Sequence, residues 1–155
     1  MRKATICFCL KGKTVLLAIK NRGFGEGKWN GYGGRVEELE TPKEAAVREL
    51  CEESSLISKT DDLEQVALIN FSFEGILKFE CHVFITQFWE GEPKDSKEMV
   101  NPTYFPFENL PKEMWAADTM WIPKVLNGEK IKAYIDFSAD GSTVKSFTCE
   151  PTIFN

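Results

Sequence analysis

The chain has 155 residues, 43% of them apolar and 28% charged, with a net charge of −5. That length suffices for one domain, 1–155, with a core of its own. The acidic balance excludes a nucleic-acid duplex as the main partner, because duplex binding rests on Lys and Arg neutralising phosphates, but it is compatible with a small phosphorylated ligand that arrives with a cation.

Five cysteines, Cys7, Cys9, Cys51, Cys81 and Cys149, form no CxxC pair and read as reduced, mostly buried thiols. No apolar run approaches the roughly 18 residues of a membrane span, and no signal-peptide pattern is present. The expectation is a cytoplasmic protein without a membrane partner, a mitochondrial or nuclear pool being left open. A monomer is the default.

In chain order, Ala4–Leu10 and Thr14–Ile19 are β-rich runs joined by Lys11-Gly12-Lys13, which predicts a hairpin. Residues 20–27 form a glycine-punctuated loop with Lys20, Arg22 and the nearby Lys28 as cations, followed by 29–34; the stretch is read as lining a ligand site, a plain flexible connector being the alternative. A helix is expected over Pro42–Ser54: Thr41 suits the N-cap, Pro42 the first position, and Glu44 completes a capping box. Leu63–Phe73 and Phe79–Phe88 read as antiparallel strands around Glu74-Gly75, with Phe71 and Phe73 on one face. His82, the single histidine, reads as a sheet residue with a satisfied hydrogen bond, which argues against serine or cysteine nucleophiles activated by histidine. Residues 89–102 are expected to be mostly a solvated connection, and Tyr104–Phe107 a short extended piece. Residues 110–114 begin a turn or helix, and Met120–Leu126 continue as a helix ending at Asn127-Gly128. Ile131–Ser138 and Thr143–Cys149 flank a hairpin turn at 139–142.

Chemistry concentrates at the first helix. At about 100° per residue, Glu49, Glu52 and Glu53 fall within an arc of about 100°, with Val47, Leu50 and Cys51 towards the other side. Like charges three and four apart destabilise a helix, so the cluster calls for solvent or a cation. A plain solvated face, with Arg48 four residues from both Glu44 and Glu52, is the alternative. The preceding Gly33-Gly34 permits a turn that leaves carbonyls free, and Glu40 adds another acid. A loop carbonyl with helix carboxylates is a donor set that suits Mg²⁺ bridging to a phosphate.

Gly34, five residues, Glu40, seven residues, Arg48-Glu49-Leu50, one residue, Glu52-Glu53, one residue and Ser55-Leu56 resemble the Nudix box, which has glycine where this chain has Ser55. A serine there costs roughly 1 kcal/mol or shifts the helix end. Leu39 also stands where many relatives have glycine. The resemblance implies an α+β fold, the Nudix α/β/α sandwich, with a mixed, curled sheet, the box helix on one side and the second helix on the other.

Outside the box, Lys20 with 22–25, 29–31, Phe71 and Phe73, 82–84, Glu98-Met99, Met114-Trp115 and Trp121 before Pro123 are similar to one branch of that family, the animal MutT homologues that hydrolyse oxidised purine nucleoside triphosphates. By that resemblance, the Gly33 carbonyl and Glu49, Glu52 and Glu53 would bind Mg²⁺, Mn²⁺ being a substitute, and Glu98 would add a ligand or a base. Arg48 would orient Glu49 or its neighbours. Thr5, Lys20, Phe24, Asn30, Gly34, Phe71, Phe73, Trp115, Ala117 and Asp118 match the nucleotide pocket, with Trp115 stacking on the purine and Asn30 and Asp118 reading its edge.

The implied reaction is metal-dependent hydrolysis of 8-oxo-dGTP, 2-oxo-dATP or N6-methyl-dATP to the monophosphate and pyrophosphate, with Glu53 or Glu98 taking the proton. The branch carries two consecutive aspartates where this chain has Ala117 and Asp118, so base preference is expected to be shifted or weakened. The competing readings are another nucleoside diphosphate linked substrate, an RNA cap, or a catalytically silent nucleotide-binding module. The last is opposed by the presence of Glu40, Glu49, Glu52 and Glu53.

Overall fold

The computed structural model describes residues 2–155. Eight strands and two helices follow the order β1 (Arg2–Lys11), β2 (Thr14–Lys20), β3 (Trp29–Asn30), α1 (Pro42–Ser54), β4 (Glu64–Phe73), β5 (Ile76–Thr86), β6 (Met99–Pro106), α2 (Asp118–Leu126), β7 (Ile131–Phe137) and β8 (Val144–Pro151). They form one mixed sheet in the order β3-β2-β1-β5-β4-β7-β8, with β6 on β2. The β1–β5 and β4–β7 pairs are parallel, and the others antiparallel.

Strand alternation sends side chains to two separate cores. Cys7, Cys9, Leu16, Ala18 and Phe84 pack with Ala46 and Leu50 of α1. Their sequence neighbours Phe8, Leu10, Val15, Leu17 and Val83 pack with Trp121, Ile122 and Val125 of α2. Side chains one residue apart point to opposite faces of a strand, so the helices cover opposite faces of the sheet, as expected of an α+β sandwich. Burying a residue such as Leu50 contributes about 2 kcal/mol.

The wedge between β1 and β2 positions the site. These strands pair only from Cys9↔Leu16 to Lys11↔Thr14. Beyond that they part, and residues 29–35 fill the gap. Trp29 and Asn30 pair with Ile19 and Ala18, while Tyr32 and Arg35 bridge to Cys7 and Ala4 on β1. The stretch expected to be wholly loop therefore contains a two-residue strand, held by tertiary pairing that no local pattern announces.

Other boundaries differ for similar reasons. β5 begins at Ile76 and ends at Thr86, because the Glu74-Gly75 turn, both residues left-handed, is tight enough to start pairing at once. Met99 to Pro102, expected in a solvated connection, are the first half of β6, where Lys20↔Met99 pairing and burial of Met99 recruit them to the sheet. Residues 110–111 are irregular and 112–114 are bends. α2 starts two residues before Met120. His82 has both ring nitrogens engaged, with Gln65 at 3.1 Å and Glu80 at 3.0 Å, as its place in a sheet suggested.

Candidate active site

Helix α1 begins and ends where the sequence places it. Thr41 accepts from the Glu44 N–H at 3.2 Å while Glu44 accepts from the Thr41 N–H at 2.8 Å. At the other end Ser55 adopts φ 71° and donates its N–H to the Cys51 carbonyl at 2.9 Å. Serine thus occupies the left-handed cap without shifting it.

The helix faces differ from expectation in one consequential way. The buried arc runs through Ala46, Leu50 and Glu53, and Cys51 is exposed. Glu53 is therefore on the packing face, 4% exposed at the base of the wedge, whereas the Glu52 side chain is 59% exposed. The three acids do not share one solvent face.

Arg48 organises the acids around it. Its Nε and Nη2 clasp both oxygens of Glu40 at 3.1 and 2.6 Å, its Nη1 donates to Glu49 at 2.9 Å and Glu52 at 3.3 Å, and its Nη2 donates to the Arg35 carbonyl at 3.0 Å. This forked pairing holds the Glu40 carboxyl below the usual carboxylate range. Burial pushes Glu49 upward against the opposing pull of Arg48. For Glu53, burial dominates and raises it to about 8, opposed by the Gly33 N–H that donates to it at 2.9 Å and assisted by the nearby Glu49.

Gly33 and Gly34 are required by close approach, not by a turn. Neither has a positive φ. A Cβ on Gly33 would lie 1.8 Å from the Thr5 carbonyl oxygen, and one on Gly34 would lie 2.6 Å from the Glu49 carboxyl carbon. The missing side chain of Gly33 lets the backbone of β1 come close, and that of Gly34 lets the Glu49 carboxylate stand directly against the loop backbone. The Gly34 carbonyl is spent on the Thr5 N–H at 2.8 Å, while the Gly33 carbonyl accepts no hydrogen bond among the described residues.

These oxygen-only donors, Glu49, Glu53 and the Gly33 carbonyl, fit a hard divalent cation. The buried Glu53 carboxylate, crowded by the half-buried Glu49 that Arg48 already pairs, is what such an ion would relieve. The larger set is not gathered: among the described residues no three acidic, histidine or cysteine side chains form a ready metal cluster. Glu52 leans to Arg48, and Glu98 is held by Arg22 and Lys20 at 2.6 and 3.2 Å, which keeps its carboxyl below the usual range.

A cleft of about 340 Å³ opens from this point. Thr5, Lys20, Phe24, Asn30, Gly33, Gly34, Glu53, Phe71, Phe73, Trp115 and Asp118 all line it. Its aromatic wall is continuous: Phe71 and Phe73 stack on Phe137 at 6.0 and 5.4 Å, Trp115 sits 5.8 Å from Phe137, and Phe24 sits 4.8 Å from Trp115. At its polar floor, the buried Thr5 hydroxyl has no partner. Asn30 accepts the Gly31 N–H at 2.8 Å, which leaves its NH₂ to donate. Asp118 opens helix α2 and accepts the Trp115 N–H at 3.1 Å, and burial raises its carboxyl to about 7.

Ala117 does not line the cleft. It is fully buried in the core at the start of α2. Residues not singled out beforehand do line it: Phe137, the last inward residue of the β7 alternation, and Arg35, which follows the glycine pair. Lys28, known from the sequence only as a loop cation, places its ammonium 5.5 Å over the Trp115 ring. Alternation to residue 137 was the available signal for the first; the others depend on how the 20–35 segment folds back.

Comparison with known proteins places this geometry. The family model described as NUDIX domain matches residues 1–125. The oxidized purine nucleoside triphosphate hydrolase of Danio rerio is 41% identical over 86% of this chain and 85% of its own length. The protein of the same name from Mus musculus is 38% identical over 95% of this chain and 93% of its own. Among solved structures, the MutT protein from Bacillus halodurans shares the fold at 22% identity and a TM-score of 0.81, covering 99% of this chain and all of that one. Nudix hydrolases use divalent metal ions, in keeping with the oxygen donors at Gly33, Glu49 and Glu53. The family match takes in the whole of the glycine pair and helix α1, and both relatives extend over most of the chain, so this chain belongs to the Nudix family.

Proposed function

We propose that the protein hydrolyses oxidised purine nucleoside triphosphates, such as 8-oxo-dGTP and 2-oxo-dATP, to the monophosphate and pyrophosphate, with Mg²⁺ as the ion and Mn²⁺ as a substitute. The observation that carries this reading is the single cleft that joins an aromatic wall with hydrogen-bonding groups, Asn30 and Asp118, to the Glu53 carboxylate beside Gly33-Gly34. The two curated relatives bear the matching name. A base would lie along Trp115 with its edge towards Asn30 and Asp118, and the phosphates would run past Lys20 to Glu49 and Glu53.

When bound, a divalent ion supplies charge neutralisation of the phosphate oxygens and of the leaving pyrophosphate. The chain's own residues do the rest. Gly34 admits the Glu49 carboxylate to the backbone, the Gly33 N–H holds Glu53, and Arg48 fixes Glu49 and Glu52. Glu53, held by the Gly33 N–H, takes the proton of the attacking water. Glu98, already committed to two cations, is the weaker base of the pair. Glu52 and Glu98 would join the proposed ligand set only by leaving their partners Arg48, Arg22 and Lys20.

The direct test is product analysis. With 8-oxo-dGTP and Mg²⁺, the monophosphate and pyrophosphate should appear in equal amounts, and chelation should stop the reaction. Release of the diphosphate and inorganic phosphate would overturn the assignment of the bond cleaved.

A further inference from the structure

Glu98 stands just before β6, and the groups that hold it come from the segment leaving β2. Arg22 Nε donates to one carboxylate oxygen at 2.6 Å and Lys20 Nζ to the other at 3.2 Å. In the main chain, the Asn21 N–H donates to the Glu98 carbonyl at 2.7 Å, and the Asn21 side chain donates to the Lys97 carbonyl at 3.2 Å. Lys20 also registers opposite Met99. Residues 20–22 are thus zipped to residues 97–99.

A loop springs from that zipper. Both its ends are tied to Lys20, which donates its N–H to the Lys28 carbonyl at 2.9 Å and accepts the Gly27 N–H at 2.8 Å. Between the ends, Gly23, Gly25 and Gly27 have φ of 78°, 87° and 82°, a conformation that residues with side chains resist. Phe24 at the tip is 62% exposed, yet its ring lies 4.8 Å from Trp115 and 5.7 Å from Phe73. Gly25 fits beneath the indole, where a Cβ would come within 3.2 Å of it.

The Phe24–Trp115 spacing matters for a flat ligand. A ring inserted between two aromatic rings needs them about 7 Å apart, twice a contact distance of about 3.5 Å. At 4.8 Å, Phe24 closes that face of the indole, and the loop has to lift for a ligand to stack there. The zipper lies at the base of that loop.

We propose that Arg22 and Glu98, assisted by Lys20, form a latch that sets the resting position of the Phe24 loop over Trp115. Arg22 and Glu98 are then positioning residues for the aromatic wall. The inference rests on the reading of this cleft as the ligand site, but its first test does not need a ligand.

The experiment compares amide hydrogen exchange of metal-free wild type, Arg22→Gln, Arg22→Lys, Glu98→Gln and the double variant Arg22→Gln/Glu98→Gln. Exchange at residues 23–27 should speed up by about fivefold in both single glutamine variants, the scale of a part-exposed ion pair. The double variant should be no faster than Glu98→Gln, and Arg22→Lys should recover part of the protection. Amides of β4 and β5 should be unchanged, which separates a loosened loop from a destabilised protein. Affinity for 8-oxo-dGMP, the product of the proposed reaction, without metal and followed by tryptophan fluorescence, should rise about threefold to fivefold in the same order, because a loosened loop lifts from the indole more readily. Unchanged exchange at 23–27 in Arg22→Gln, or additive effects in the double variant, would overturn the latch. Failure of 8-oxo-dGMP to bind wild type would instead contradict the proposed function and leave the exchange result to decide the latch.

Discussion

Glu53 and Asp118 are both acids that the fold buries, and burial gives them opposite uses. Glu53 stands against the Gly33 N–H beside Glu49, where a cation would restore its charge. Glu53→Gln keeps the shape and the contact to Gly33 while removing the base. Nucleotide binding should persist and turnover should fall by at least about a hundredfold, the scale of general-base catalysis. A variant that turns over at the wild-type rate would remove Glu53 from the mechanism. Asp118 sits at about 7, above its ordinary value of 3.8. The folded state therefore holds a proton that the unfolded chain has released, so the Asp118 contribution to stability falls as pH rises from about 4 to about 7 and is level above that, while Glu53, raised to about 8, adds a slope of the same sign that wild type and Asp118→Asn share. Urea denaturation between pH 5 and pH 8 should show this slope in wild type and a flatter one in Asp118→Asn. Equal slopes would mean that Asp118 titrates normally. The residue types of the site were legible because the box spacing names them. Burial of Glu53 was not, because three acids within one arc do not reveal where the centre of the packed arc lies.

At the scale of elements, helix α1 was readable to the residue, since cap, proline and capping box are local signals that nothing in the tertiary structure contradicts. The glycine-to-serine departure at its end proves to be strain rather than displacement: Ser55 takes φ 71°, and the exposed Leu39 takes φ 67°. Ser55→Gly should raise the unfolding free energy by about 1 kcal/mol with the helix end unchanged. No gain in thermal stability would show that serine is not strained at this cap. The elements that were not legible are β3 and the first half of β6. Both are held to β2 by pairing between segments distant in sequence. A two-residue strand carries no periodicity, and residues 99–102 follow a polar stretch that masks theirs.

Across the whole molecule, the charge of the chain and the charge of the cleft run in opposite directions. The net charge is −5, yet Arg2, Lys3, Lys20, Lys28 and Arg35 all line the cleft that also holds Glu53 and Asp118. This arrangement favours a compact polyphosphate over a long nucleic acid, since the cations converge on one cavity rather than tracking along a surface. The sandwich supplies the frame: α1 brings the acids to one side of the β1–β2 wedge, α2 brings Asp118 to the other, and residues 29–35 join them. The central claim is that this cleft selects modified purine triphosphates, and the most direct test is pyrophosphate release with Mg²⁺ from dGTP, dATP, 8-oxo-dGTP, 2-oxo-dATP and N6-methyl-dATP, compared as kcat/KM. The account predicts at least about tenfold preference for an oxidised purine over its unmodified parent, about 1.4 kcal/mol of discrimination from one or two buried hydrogen bonds. Equal values across the panel would contradict it.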